Sequence, residues 1–234
     1  MNAVTSIRPP QVLLLRVSHG FMKNNNYLVV DPASREAVVI DPAWQIEKIE
    51  SALASTQTTL AGILITHAHF DHVHLAEPLA ARHDCPIWMS KYEIALSGFW
   101  APQLVGIDAD RAWSVGNLLI QPIWTPGHTQ GCVCYLIGDN LFTGDVLFAE
   151  GCGLCPDVDA AHQMFNSLQL LRAQLEPHTK IFPGHTYGRP PGQRFSELLR
   201  SNMYLQFNDG HSFAAYRLRK GQALSKLLDF RQSP

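Results

Sequence analysis

The sequence predicts an α/β fold of four layers (αββα), with two β-sheets packed face to face and helices covering both outer surfaces. Strand-like runs fall into two groups, one before residue 90 and one after residue 117, and each group has helical segments beside it. The chain has 234 residues, 46% of them hydrophobic, enough to fill a core between two such halves.

Residues 11–17, 26–30 and 37–40 are apolar or β-branched runs bounded by Gly, Asn, Asp and Pro, the pattern of successive antiparallel strands. Ile46, Ile49 and Leu53 stand at helical spacing within 44–53, and the continuous apolar run at 60–66 predicts a buried strand. Residues 75–82 read as a helix, 86–89 as a short strand and 91–96 as a helical turn or two. A loop rich in Ala, Gly and Asp follows. Residues 118–124, 133–137 and 141–142 then form the second strand group. The clearest amphipathic helix is 160–175, with Met164, Leu168, Leu171 and Leu175 on one stripe, and 180–182 is a last short strand. Gly188, Pro190, Pro191 and Gly192 punctuate the chain. The expected division is a main domain over 1–188 and a helical extension over 189–234 packed on it.

Eighteen Lys and Arg against 20 Asp and Glu leave a net charge of −2, and no basic block marks a nucleic-acid footprint. Small-molecule or protein-borne substrates are the expected class. No run reaches the roughly 18 to 20 apolar residues of a membrane span, and the first 20 residues lack the long apolar stretch of an export signal. A cytoplasmic location is expected. Five cysteines, an odd number, predict free thiols in a reducing compartment. Cys152 and Cys155 have C-x-x-C spacing, but no second such pair completes a four-cysteine site, and Cys132 and Cys134 fall on a predicted strand.

The histidines are more informative. Directly after the strand at 60–66 come His67, His69, Asp71 and His72, four metal-competent side chains within the six residues HAHFDH. In extended backbone His67 and His69 point the same way into one metal, and Asp71 and His72 on the following turn serve a second. His128 in TPGHT, Asp145 in TGD and His185 in PGH also follow predicted strands. Each alone reads as a turn residue. Together behind the cluster they read as further ligands. His74, one step past the motif, is expected at a helix start or supporting the ligands.

The motifs HAHFDH, GHT, GD and PGH, in this order and spacing, resemble those of the metallo-β-lactamase superfamily, over residues 11–187. The resemblance implies that His67, His69 and His128 hold a first metal, that Asp71, His72 and His185 hold a second, and that Asp145 bridges them. Asp41, in VVIDPA, matches the family's supporting Asp, which orients ligands through hydrogen bonds. The ligand set implies two divalent ions, best Zn²⁺, with Fe or Mn tolerated. Two such ions about 3.5 to 4 Å apart bring the pKa of a shared water toward about 7, so metal-bound hydroxide serves as nucleophile with Asp71 holding its proton.

Gly144 to Phe148 followed by Gly151-Cys152-Gly153 is similar to glyoxalase II, which hydrolyses acylglutathione thioesters, and to persulfide dioxygenases with one Fe(II). Glyoxalase II has a glutathione-contacting Lys after GCG, and the dioxygenases an Arg; this chain has Leu154. Tyr187 matches a glutathione-contacting tyrosine. A likeness that extends into the C-terminal region is to zinc-dependent hydrolases of bacterial polyketide pathways, through DPAW at 41–44, GCGLC at 151–155, PGHTYGRPPG at 183–192 and the tail. It implies a thioesterase that removes acyl groups from acyl carrier protein, with Tyr187 and Leu154 contacting substrate. Arg189, Arg194, Arg200, Arg217, Arg219 and Lys220 are the cations available to an acidic carrier. Core packing is the default reading for Phe99, Trp100 and Trp113, with a place at the entrance as the alternative.

Overall fold

The hairpin that opens the fold pairs β1 (Gln11–His19) with β2 (Met22–Asp31) in antiparallel register. The computed structural model describes residues 9–219. β3 (Glu36–Ile40) adds antiparallel to β2, and α1 (Ile46–Thr56) carries the chain to β4 (Thr59–Leu64), parallel to β3. α2 (Phe70–Val73) and α3 (Ala76–His83) lead to β5 (Ile87–Ser90), and α4 (Lys91–Ser97) leads to β6 (Leu104–Ile107), both strands again parallel. Parallel neighbours need such crossovers, which place the helices on one face.

The second sheet begins with β7 (Trp113–Val115), β8 (Leu118–Trp124), β9 (Val133–Ile137) and β10 (Asn140–Gly144), each antiparallel to the strand before. α5 (Val158–Gln174) crosses to β11 (Lys180–Pro183), parallel to β10, and β12 (Gln193–Arg194) pairs along its far edge. α6 (Phe195–Ser201), a 3-10 turn at Met203–Leu205 and α7 (Gly210–Arg217) follow. The two six-stranded sheets and their helices make the αββα sandwich that the sequence predicts.

The alternation of β2 shows why the layers stack. Tyr27 and Val29 point between the sheets, beside Ile40, Leu64, Tyr135 and Phe142. Leu28 and Val30 point outward, under Ile49, Leu53 and Leu79 of α1 and α3. A strand buried on both faces is apolar at successive positions, as Tyr27 to Val30 are. On the other side Met164, Leu168 and Leu171 of α5 cover Cys134, Leu141 and Ile181 and share their cluster with Phe195, Leu198 and Phe213. Two buried tyrosines tie the sheets together. Tyr27 donates its hydroxyl to the Pro183 carbonyl at 2.5 Å, and Tyr135 donates to the Ile65 carbonyl at 2.9 Å.

Some expectations change. The stretch read as a loop before residue 118 contains β6 and β7, which are too short for periodicity to reveal. β2 begins at Met22, four residues before the apolar run, because Lys23, Asn24 and Asn25 take ladder positions opposite β1. α1 begins at Ile46 instead of residue 44, since Asp41 and Trp44 sit at φ 49° and 66°. Arg217 is buried, not a surface cation; its Nε donates to the Gly153 carbonyl at 2.7 Å. Trp113 and Phe99 pack into core clusters, as their default reading has it, whereas Trp100 is exposed. Lys220 lies outside the described residues. Among the described residues no helix is long and apolar enough to cross a membrane.

Candidate metal centre

β3, β4, β8, β10 and β11 all end on one rim of the sandwich, and each releases a functional side chain there. Asp41 follows β3, His67 follows β4, His128 follows β8, Asp145 follows β10 and His185 follows β11. The Thr66 carbonyl accepts from Val133 N–H at 3.0 Å, so the end of β4 is stitched to the opposite sheet beside the site. The rim needs glycines. A Cβ on Gly184 would lie 2.6 Å from His72 Cε1 and 2.9 Å from Asp145 Oδ1. Gly144, at φ 48°, combines a left-handed backbone with a Thr66 hydroxyl that would lie 2.2 Å from its Cβ.

Two groups of ligand atoms result. His67, His69 and His128 form one, and Asp71, His72 and His185 form the other, with all atoms of a group within 4.8 Å of one another. His69 Nδ1 lies 3.0 Å from both His67 Nε2 and His128 Nε2. In the second group His185 Nε2 is 3.4 Å from Asp71 Oδ2. Asp145 stands between the groups, its Oδ1 3.5 Å from both His72 Nε2 and His185 Nε2 and its Oδ2 3.7 Å from His128 Nε2. Every predicted ligand is therefore in one cluster.

The far ring nitrogens are committed elsewhere, which turns the near ones inward. His128 Nδ1–H donates to the Leu154 carbonyl at 2.8 Å, and His185 Nδ1–H donates to the Lys23 carbonyl at 2.7 Å. His72 Nδ1–H donates to Asp41 Oδ2 at 2.9 Å. Asp41 also accepts from the Thr66 N–H at 2.8 Å and hydroxyl at 2.7 Å, so both of its oxygens are used in orienting neighbours. Asp41 can itself be grouped with His67 and His72, but these bonds occupy it.

His72 Nε2 and Asp145 Oδ1 are buried with no hydrogen-bond partner. Such atoms are costly unless something absent from the polypeptide satisfies them. Separations of 3.0 to 3.9 Å between inward atoms lie around the roughly 3.3 Å edges of a tetrahedron with bonds of about 2.0 Å. The electrostatics agree. Burial opposes charge on His72, yet Asp145, Asp41 and Asp71 outweigh it and raise its pKa to about 9. Burial alone would raise Asp145, but His185, His72 and His128 hold it well below the usual carboxylate range. His67 is driven down by burial and then by His72 and His128. The carboxylates call for positive charge here and the crowded imidazoles resist supplying all of it as protons, a balance that a divalent cation satisfies.

Several supporting residues carry no motif. Asn24, Asn25 and Asn26 are consecutive and buried on β2. Asn24 Nδ2 donates to Asp71 Oδ2 at 3.0 Å while its Oδ1 accepts from Trp44 Nε1 at 2.8 Å. Asn25 Nδ2 donates to the Pro183 carbonyl and Asn26 Nδ2 to the Asp41 carbonyl. The one mark they leave in the sequence is a polar run inside a strand. His74 ends α2 and accepts from Trp44 N–H at 3.2 Å, outside both ligand groups. Tyr187 is exposed at the rim, with its ring 5.0 Å from Phe148 and 6.2 Å from His185. Leu154 reaches the site through its carbonyl on His128. The five cysteines are unpaired and buried; burial pushes Cys155 up to about 11 and Cys152 further, so both remain thiols.

Residues 19–185 match the model of the metallo-β-lactamase superfamily. The chain belongs to that superfamily. It is 39% identical over 213 residues to "Probable polyketide biosynthesis zinc-dependent hydrolase BaeB" of Bacillus velezensis, covering 91% of this chain and 95% of that one. It is 38% identical over 223 residues to the PksB protein of Bacillus subtilis, described in the same words, covering 95% and 97%. Among solved structures, ETHE1 from Myxococcus xanthus superposes with a TM-score of 0.79 at 27% identity, covering 93% of this chain and 95% of that one. With these relatives and a cluster of His and Asp groups that could hold metal, this member of the superfamily is a hydrolase.

Proposed function

We propose that this protein hydrolyses acyl thioesters, and that its substrate is an acyl group on the phosphopantetheine arm of an acyl carrier protein in a polyketide pathway. In this reading His67, His69 and His128 would hold one Zn²⁺, Asp71, His72 and His185 would hold a second, and Asp145, which stands between the two groups, would serve both. The observation that carries it is the convergence of these groups with His72 Nε2 and Asp145 Oδ1 left without a hydrogen-bond partner.

A bound pair of divalent cations supplies Lewis acidity and ionises water near neutral pH. The protein's own groups do the rest. Asp41, Leu154 and Lys23 fix the imidazoles of His72, His128 and His185 from behind. Asn24 holds Asp71 Oδ2, and in this reading the Asp71 carboxylate takes the proton of the attacking water. Water oxygen bonds to the thioester carbon, the C–S bond breaks, and that proton passes to the departing sulfur. The products are a carboxylic acid and a thiol.

Support for a carrier-borne substrate comes from the relatives' names and from the rim. Leu154 stands where a glutathione-binding enzyme of this kind has Lys. Exposed Phe70 and Tyr187 offer apolar surface for an acyl arm. Arg189, Arg194 and Arg200 are exposed on the segment leaving His185, the right sign for an acidic carrier.

The test is acid release from one acyl group presented on carrier protein, coenzyme A and glutathione. The carrier should be preferred in kcat/KM by about tenfold or more, about 1.4 kcal/mol of transition-state binding. Equal or better turnover of lactoylglutathione would transfer the assignment to the glutathione thioester.

A further inference from the structure

Glu93 is a buried carboxylate in α4 to which neither the ligand set nor any motif assigns a role. Ser90, Lys91, Tyr92 and Glu93 have the S-x-x-E spacing of a capping box, and Ser90 Oγ does accept from Glu93 N–H at 3.0 Å. In a capping box the carboxylate turns back onto the first residue of the motif. Here it does not. Glu93 Oε1 accepts from the Ala68 N–H at 2.8 Å, and Oε2 accepts from the Thr129 hydroxyl at 2.6 Å. Ala68 lies between His67 and His69, and Thr129 follows His128.

We propose that Glu93 is a positioning residue that sets the spacing of His69 and His128, and so the affinity of the ion held by His67, His69 and His128. The proposal rests on that ligand assignment and not on the substrate. His69 is the exposed member of its group, and its carbonyl accepts from the His72 and Val73 N–H groups at 2.9 and 3.2 Å, which fixes its C-terminal side at the start of α2. The bond to Ala68 N–H, one residue earlier, fixes the N-terminal side. The loop carrying His128 is pressed onto the same helix. A Cβ on Gly131 would lie 2.3 Å from Glu93 N and 2.6 Å from Oε2, and Ser90 Oγ donates to the Gly131 carbonyl at 2.7 Å. A buried carboxylate is expensive when its oxygens lack strong partners. Capping a short helix gives no reason to bear that cost, since a solvent-exposed Glu or Gln caps as well. One rigid acceptor bridging two ligand loops does give a reason.

The experiment measures zinc affinity by chelator competition on metal-stripped protein. His69→Ala and Asp71→Ala identify which binding constant belongs to which ligand group. Glu93→Ala should weaken the ion of the His67 group by about 10- to 100-fold, the usual cost of losing a group that supports a ligand, and leave the other ion within about threefold. Thr129→Val should weaken the same ion by a smaller factor. Glu93→Gln should restore most of the affinity, because its amide oxygen still accepts from Ala68 and its amide nitrogen still reaches the Thr129 oxygen. Equal weakening of both ions, or unchanged affinity with only a lower melting temperature, would overturn the proposal. If Glu93→Ala does not fold, Thr129→Val decides alone: selective weakening supports the role and unchanged affinity refutes it. A failed substrate assignment leaves this result standing, whereas unchanged zinc binding in His69→Ala would mean the ligand assignment itself is wrong.

Discussion

The Asp41 carboxylate accepts the Nδ1–H of His72 at 2.9 Å while the backbone of Asp41 is held at φ 49°, a left-handed conformation. That conformation disfavours L-residues by about 1 to 2 kcal/mol, Asp less than most. The Asp41 N–H donates to the Leu64 carbonyl and its own carbonyl accepts from Asn26, so the surroundings enforce it. The result aims one carboxylate at His72 and at both donors of Thr66 at once. Replacing Asp41 with Asn puts an amide donor against at least one of these donors. We expect Asp41→Asn to weaken zinc binding by the His72 group about 10- to 100-fold, with a parallel fall in kcat. Zinc stoichiometry and steady-state kinetics on one preparation check it.

His69 is exposed and contributes to the centre more than to the core. His69→Ala should abolish hydrolysis and remove one ion while leaving circular dichroism and the unfolding midpoint of the metal-free protein near those of the parent. Normal turnover in this variant would refute the ligand assignment.

Gly184→Ala tests the tightness of the rim. The added methyl would meet His72 Cε1 at 2.6 Å and Asp145 Oδ1 at 2.9 Å, neither of which is free to retreat. Overpacking of this kind costs about 1 to 3 kcal/mol. We expect the variant to lose more in zinc affinity and kcat than in stability, since the displaced atoms are ligands. Denaturant titration beside chelator competition separates the two.

Asp31 predicts an acid-dependent part of the stability remote from the site. Burial by itself raises its pKa, but hydrogen bonds from Ser34, Asn117 and Ala33 outweigh burial and leave it well below the ordinary carboxylate range. Two of those bonds, from Asn117 N–H and Nδ2, are 2.8 and 2.7 Å and join the turn between β7 and β8 to the end of β2. A depressed pKa means that the stabilisation is fully present above the unfolded value of about 3.9, begins to shrink as pH falls below it, and is gone only once pH has fallen through the lower folded value. Asp31→Asn should therefore be less stable than the parent by about 1.5 to 3 kcal/mol at pH 7, with the gap closing toward pH 3. Urea titrations at the two pH values measure it; a gap independent of pH would contradict it.

The layers were legible because burial imposes periods. Tyr27 to Val30 had to be apolar on both faces, and Met164, Leu168 and Leu171 had to recur along a helix. The ligands were legible because a metal needs particular side chains, and here four stand within six residues after a strand. β6 and β7 were not, since three or four residues on a sheet edge show no period.

What the sequence determined by itself was the order of elements and the identity of the metal-competent groups. Only the tertiary structure decided what holds them. Asn25 reaches Pro183 across 158 positions, and Glu93 reaches Thr129 across 36. The acceptors on His128 and His185 are backbone carbonyls of Leu154 and Lys23, a group that every residue carries. Such bonds have no local period and no distinctive residue type. They exist because parallel crossovers bring distant strand ends to one rim, and the folded chain alone brings those ends together.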